Sequence, residues 1–253
     1  MPKNLFSKYK IILASKSPRR QFLLKELGIN FKIRTKEVDE SFPKKLKGKQ
    51  IALYLCKKKA EAFKHELKSN NLLITADTIV WLNNKKTKGI VLNKPADHSG
   101  AVKMLKLLSG KMHIVHTGVS ITTSPLRRSS FEPSPLPKEK GTELLKSKSF
   151  VVSTKVYFKK LTDKEIDFYV RNYKPYDKAG SYGAQESLPA NYNPCSKEEI
   201  KFLKRIKKTG LIRNSINKNT GIDQVEIIKK ITGSYFNVMG LPVKEVYEEL
   251  ANL

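Results

Sequence analysis

Nine side chains have the types and spacing for polyphosphate chemistry: Ser15, Arg19, Arg20, Glu40, Lys59, Asp77, Thr78, Lys94 and Gln185. Their mixture of cations and carboxylates suits a nucleoside triphosphate. Carboxylates hold a hard cation such as Mg²⁺, which bridges phosphate oxygens. Arginine and lysine neutralise the phosphates that remain. Asp77 lies between the apolar Ile74 and Ile79-Val80, where a carboxylate is costly to bury unless it is paired or bound to a metal. Singly, the other residues have ordinary explanations. Arg19 and Arg20 would pass as surface arginines, Glu40 as a loop acid, Lys59 as one of many helix lysines and Lys94-Pro95 as a turn; Gln185 carries no signal of its own.

The element that organises the set is Ile11–Asn30. An apolar run, Ile11-Ile12-Leu13, reads as a buried strand. Ser17 and Pro18 then read as the N-cap and first residue of a helix, with Phe22, Leu23, Leu24 and Leu27 inward and Gly28 as its stop. Free N–H groups at a helix start favour an anion, and the dipole disfavours cations there. Two arginines at that point therefore imply negative charge brought by a ligand. Further on, Phe31–Arg34 reads as a short strand and Val38–Ser41 as an acidic loop. Gly48–Leu67 reads as a helix carrying Lys59, and Leu72–Thr75 as a strand that leads into Ala76-Asp77-Thr78 and resumes over Ile79–Trp81. Asp97 caps a helix, His113–Thr122 and Phe150–Phe158 read as strands, and Thr162–Glu165 fits a capping box. Val225–Ile231 reads as a strand, Gly233–Leu241 as a loop, and Pro242 opens a terminal helix. Interleaved strands and helices make the class α/β.

The chain has 253 residues, 50 Lys and Arg against 23 Asp and Glu, and a net charge of +27. That charge favours anionic partners, but the lysines are spread along the chain rather than gathered in a nucleic-acid module. The two cysteines, Cys56 and Cys195, form no CxxC pair, so no zinc site or disulfide scaffold is indicated. His113 and His116 would point to opposite faces of a strand and share no metal. There is no GxxxxGK[ST] or GxGxxG cradle. No stretch approaches the ~20 apolar residues of a membrane span, and a soluble cytoplasmic protein is expected.

Seven pieces in order resemble the Maf family of nucleoside triphosphate pyrophosphatases: LASKSPRRQFLLKELGINF, VDES, the helix ending KKKA, ADTIV, KP with the AVKMLKLLSG run, TKVYFKKLTDKEIDFYV with DKAGSYGAQ, and GSYFNVMGLPV. The resemblance implies a two-lobed α/β fold similar to inosine-triphosphate pyrophosphatase, with an elongated mixed sheet and a central cleft. It implies one Maf-like domain over residues 1–253, from which two stretches depart as insertions, at about 123–149 and 187–219; the second, in which Glu198–Lys208 reads as a basic amphipathic helix, either covers the cleft or loops away. It further implies hydrolysis of a nucleoside triphosphate to the monophosphate and pyrophosphate, dependent on Mg²⁺ or Mn²⁺, and allows a homodimer. Asp77 matches the catalytic proton acceptor, assisted by Lys59 and Lys94. Ser15, Arg19, Arg20, Thr78 and Gln185 match substrate positions, with Arg19, Thr78 and Gln185 tied to substrate choice and Arg20 to the phosphates. Glu40 and Asp77 match the metal site. DKAGSYGAQ resembles the branch acting on dTTP and UTP. The competing reading is a basic Maf-fold protein that binds nucleic acid or a division partner with catalysis secondary or lost, and the intact carboxylates argue against it.

Overall fold

The computed structural model describes residues 6, 8–83, 89–125, 145–216 and 225–253. The first unit folds for the reasons its sequence gives, except that Phe22, expected to face inward, is exposed. Ile11, Ile12 and Leu13 are buried in strand β1 (Lys10–Leu13). The Ser17 hydroxyl accepts the Arg20 N–H at the start of helix α1 (Pro18–Glu26), and Leu23 and Leu24 are fully buried on its inner face. Each such leucine contributes roughly 1.5–3 kcal/mol. The chain continues through β2 (Lys32–Ile33), α2 (Lys49–Glu61), β3 (Asn71–Leu82), β4 (Ile90–Leu92), α3 (His98–Leu108), β5 (Met112–Thr123) and β6 (Lys146–Phe158). It closes with α4 (Asp163–Tyr173), α5 (Lys197–Arg205), α6 (Gly210–Ser215), β7 (Ile228–Thr232), α7 (Tyr235–Met239) and α8 (Val243–Ala251).

The seven strands form one mixed sheet in the order β2-β1-β3-β5-β6-β7, with β4 added to β3. Strands β2, β1 and β3 are parallel, whereas the other pairings are antiparallel. Strand β5 runs along one edge of β3 from Leu72 to Trp81. The other edge is shared: β1 pairs with Asn71–Ile74 and β4 with Val80–Leu82. Residues Thr75–Ile79 therefore face a gap in the sheet between two strands of opposite sense. A crevice at such a change of direction is where α/β sheets bind ligands.

Alternation along β3 sends successive side chains to opposite faces. Leu72, Ile74, Ala76, Val80 and Leu82 join the main core with the leucines of α1 and with α3, α4, α5, α7 and α8. Leu73, Ile79 and Trp81 meet residues of α2 and of the turn after it, Ile51, Ala52, Leu55, Ala60 and Phe63, on the other face. Gly118 of β5 sets how close α2 lies: a Cβ there would stand 2.3 Å from the Ala52 carbonyl oxygen.

Several expectations need adjustment. The helix expected over Gly48–Leu67 ends at Glu61, and a 3-10 turn covers Lys64–Glu66 while Phe63 turns into the core. The expected loop Gly233–Leu241 contains α7, capped by Ser234. Tyr235, Phe236, Asn237 and Met239 are all buried, so no amphipathic period marked it. Through residue 216 the segment after Gln185 packs against the main core and does not line the cleft, and the helix expected over Glu198–Lys208 is present as α5. Phe202 and Leu203 of α5 and Leu211 of α6 are buried in the main core. Of the other insertion, Thr123 and Lys146–Ser149 belong to β5 and β6, and 126–144 lie outside the described residues. His113 and His116 do point apart, to Tyr182 and Ser153 respectively. Among the described residues, no helix is long and apolar enough to cross a membrane.

Candidate active site

All nine sequence-selected residues line one cavity of about 800 Å³ at the gap beside β3. Its walls hold seven basic and four acidic side chains, a positive excess suited to a polyphosphate. The turn before α1 supplies Ser15, and the first turn of α1 supplies Arg19 and Arg20. The loop before α2 supplies Glu40, α2 supplies Lys59, and the loop after β4 supplies Lys94. Gln185 arrives on the segment after α4.

On the α2 face of β3, the Lys59 ammonium donates to Asp77 Oδ1 and lies 2.8 Å from Glu40 Oε1. One cation thus bridges two carboxylates. Burial pushes the Asp77 pKa up from the usual carboxylate range, against the opposing pull of Lys59 and Arg20. Burial also acts to raise Glu40, but its bond to Lys59 and the charges of Lys59, Lys94 and Arg20 outweigh it and hold Glu40 low. Glu40 and Lys94 are both exposed. Neither cysteine competes as a nucleophile, because burial raises both thiols to about 12.

The opposite face is built differently. Partly buried Arg20 donates from Nε to Gly240 O at 2.8 Å, from Nη2 to Thr78 Oγ1 at 3.0 Å and from Nη1 to Ser15 Oγ at 3.3 Å. Burial lowers the Arg20 pKa, opposed by Asp77; a guanidinium remains charged all the same. The proton order beyond it is fixed. Thr117 Oγ1 must donate to the Asn237 carbonyl, so in its 2.9 Å contact with Thr78 it accepts. The Thr78 proton is therefore spent on Thr117, and its oxygen receives Arg20. Three of the five guanidinium N–H groups have acceptors among the described residues, leaving two for an anion. Ser15, which lines the cavity, accepts from Arg20 and from Ser17 N–H, and its own hydroxyl proton has no protein acceptor among the described residues.

Arg19 points elsewhere and pairs with Asp177 at 3.0 Å. Asp177 belongs to the same segment as Gln185, which is exposed at the cavity wall. The sequence reading did not single out Asp177, Thr117, Asn237 or Gly240. Asp177 stood inside a quoted motif, and Gly240, with φ of 108°, was legible as a glycine before Leu-Pro. Thr117 and Asn237 carried no signal, being ordinary polar residues whose partners are distant in sequence.

A profile of Maf-like proteins matches residues 10–191. The chain belongs to the Maf-like protein family. Its Maf-like character extends past the profile. It is 40% identical over 247 residues to a protein of Phocaeicola vulgatus named dTTP/UTP pyrophosphatase, covering 97% of each chain. Proteins of the same name from Christiangramia forsetii and Flavobacterium johnsoniae are each 39% identical over 253 residues, covering 98% and 100% of those chains. The family resemblance and the mixed α/β fold expected from the motifs are thus borne out.

Among the described residues, no group of three or more His, Cys, Asp or Glu gathers as a preformed metal cage. Glu40 and Asp77 offer hard oxygen donors on either side of one positive charge, that of Lys59. Such a donor set fits Mg²⁺ or Mn²⁺ held by one or two carboxylates with phosphate oxygens completing the shell.

Proposed function

We propose that this Maf-like protein is a nucleoside triphosphate pyrophosphatase that acts on dTTP and UTP, releasing the monophosphate and pyrophosphate. The observation that carries the reading is the convergence of all nine residues, from separate elements, on the gap beside Asp77 and Thr78. The names of its full-length relatives support the substrate class.

In this reading the triphosphate lies along the gap. The two remaining N–H groups of Arg20, the Ser15 hydroxyl and Lys94 take the phosphate oxygens. Asp77 accepts a proton from water attacking the α-phosphorus; the bond from that phosphorus to the α,β-bridging oxygen breaks and pyrophosphate departs with the electron pair. Burial makes Asp77 a stronger base than a free aspartate near pKa 3.9. Lys59 orients Asp77 in the resting site and shifts toward the phosphates when they enter. Glu40 and Asp77 would hold Mg²⁺ or Mn²⁺, which supplies charge neutralisation and polarises the phosphorus. Thr78 has no proton left for a base edge, so its part is to hold Arg20. Base choice then falls to Gln185 and to Arg19, held by Asp177.

The deciding experiment is phosphate release from a panel of nucleoside triphosphates with Mg²⁺ and added inorganic pyrophosphatase. The expected result is turnover greatest with dTTP and UTP, and a preference that narrows in Gln185→Ala. Equal or better turnover of purine triphosphates would overturn the substrate assignment.

A further inference from the structure

We infer that Glu199, on helix α5, is a positioning residue that fixes Arg20 through α7. The inference rests on the reading that Arg20 contacts the triphosphate. Glu199 is almost fully buried, at 2% exposure. A carboxylate so placed is costly unless its oxygens are satisfied, and they are. Oε1 accepts from the Ser234 hydroxyl at 2.6 Å and from Phe236 N–H at 3.3 Å. Oε2 accepts from Tyr235 N–H at 3.2 Å and from Ser196 N–H at 2.9 Å, the latter closing the capping box of α5. One side chain therefore caps its own helix and grips the start of α7.

The middle of α7 and the glycine that ends it carry the two acceptors on which the Arg20 arrangement depends. Gly240 O takes Nε, and Asn237 O takes Thr117, which takes Thr78, which takes Nη2. The Asn237 side-chain amide is itself tied to Val115 O and Thr154 Oγ1, and Thr154 donates to Ser234 O. With only Tyr235–Met239 between, a shift at the Glu199 end is transmitted to Gly240. None of the residues of α5 lines the cavity, so Glu199 acts only through this path.

Glu199→Gln keeps the volume but turns one acceptor into a donor facing donors. The first readout needs no nucleotide. In ¹H–¹⁵N spectra the Arg20 Nε–H, identified by its loss in Arg20→Lys, exchanges slowly with water in the wild-type protein because Gly240 O holds it. In Glu199→Gln it should exchange at least tenfold faster. The second readout is kinetic: KM for dTTP rises at least fivefold with kcat less affected. The double variant Arg20→Lys/Glu199→Gln should be no worse than Arg20→Lys alone, as one shared path requires. Ser234→Ala removes a single donor and should give a smaller change of the same kind, and it serves if Glu199→Gln unfolds. Unchanged Nε–H exchange in the folded variants, or losses that multiply in the double variant, would overturn the inference. If the wild-type protein turned over no dTTP while Glu199→Gln still accelerated Nε–H exchange, the proposed activity would fall and the Glu199 path would stand.

Discussion

Asp77 and Thr78 are adjacent in sequence, yet they belong to two differently built walls of the same cavity. The Asp77 wall is made of charges that hold each other: Lys59 between two carboxylates, with Glu40 and Lys94 exposed. The Thr78 wall is made of hydrogen bonds of fixed direction that end on backbone carbonyls, with Thr117 and Asn237 completely buried. The first can rearrange when a polyphosphate and a cation arrive, because each lost ion pair is replaced by another of the same sign, a cation for Lys59 on the carboxylates and phosphates for the carboxylates on Lys59. The second cannot, because any change leaves a buried polar group unsatisfied. In the proposed reaction, one strand thus presents a yielding surface to the reacting phosphorus and a rigid one to the phosphates that must be held.

The contrast is most directly broken at Asp77. Asp77→Asn should lower kcat for dTTP by at least ~10³-fold, while the melting temperature stays level or rises. The stability half follows from sign. A carboxylate whose folded pKa is raised above its unfolded value is a burden once ionised, so removing its charge relieves the fold at neutral pH. Calorimetry beside the activity assay checks both halves.

Next in size is a pair of substitutions, one in each wall. Arg20→Lys replaces a fork by a point charge that cannot serve Gly240 O, Thr78 and Ser15 together. It should cost about 100-fold in kcat/KM and roughly 1–3 kcal/mol of stability in denaturant titration. Lys94→Ala should cost about tenfold in kcat/KM and no measurable stability. Equal stability losses in the two would erase the distinction between the walls.

Gly118→Ala tests how the yielding wall is seated. The added methyl meets the Ala52 carbonyl, so α2 must retreat and carry Lys59 away from Asp77. A loss of about 1–3 kcal/mol is expected, with a fall in kcat that the equivalent change at an open site would not produce.

The smallest effect concerns histidines beside, not in, the catalytic chemistry. Burial holds His113 near 3 and His116 near 4, the latter also depressed by Lys49. Both are neutral in the folded protein at neutral pH, and the unfolded chain takes up their protons first as pH falls below about 6.5. Stability should therefore be fully present above that value and decline by a few kcal/mol toward pH 4. Melting curves between pH 7.5 and 4.5 should show the decline, and His113→Gln should flatten it.

Only part of the site was legible from local rules: two arginines after a Ser-Pro helix start and an aspartate inside an apolar strand; Glu40, Lys59, Lys94 and Gln185 stood out only through the order of the motifs that carry them. The gap that brings them together was not legible. It depends on β1 and β4 sharing one edge of β3, a pairing over sequence separations that periodicity does not encode. The same limit hid the Thr78 wall. Thr117, Asn237 and Glu199 look like unremarkable polar residues until the fold brings them to their partners. Helix α7 escaped notice because four of its five residues are buried, which removes the alternation that marks a surface helix.

The unpaired stretch Thr75–Ile79 has a further consequence, for solubility. A free strand edge is a template on which other chains add and aggregates grow. Here the free edge is only five residues long, closed at both ends by β1 and β4 and guarded by the basic walls of the cavity. An invading strand would find too little length to pair with and too much positive charge to cross, while a small anion finds neither obstacle. The opening proposed to admit substrate is thereby also shielded against self-assembly.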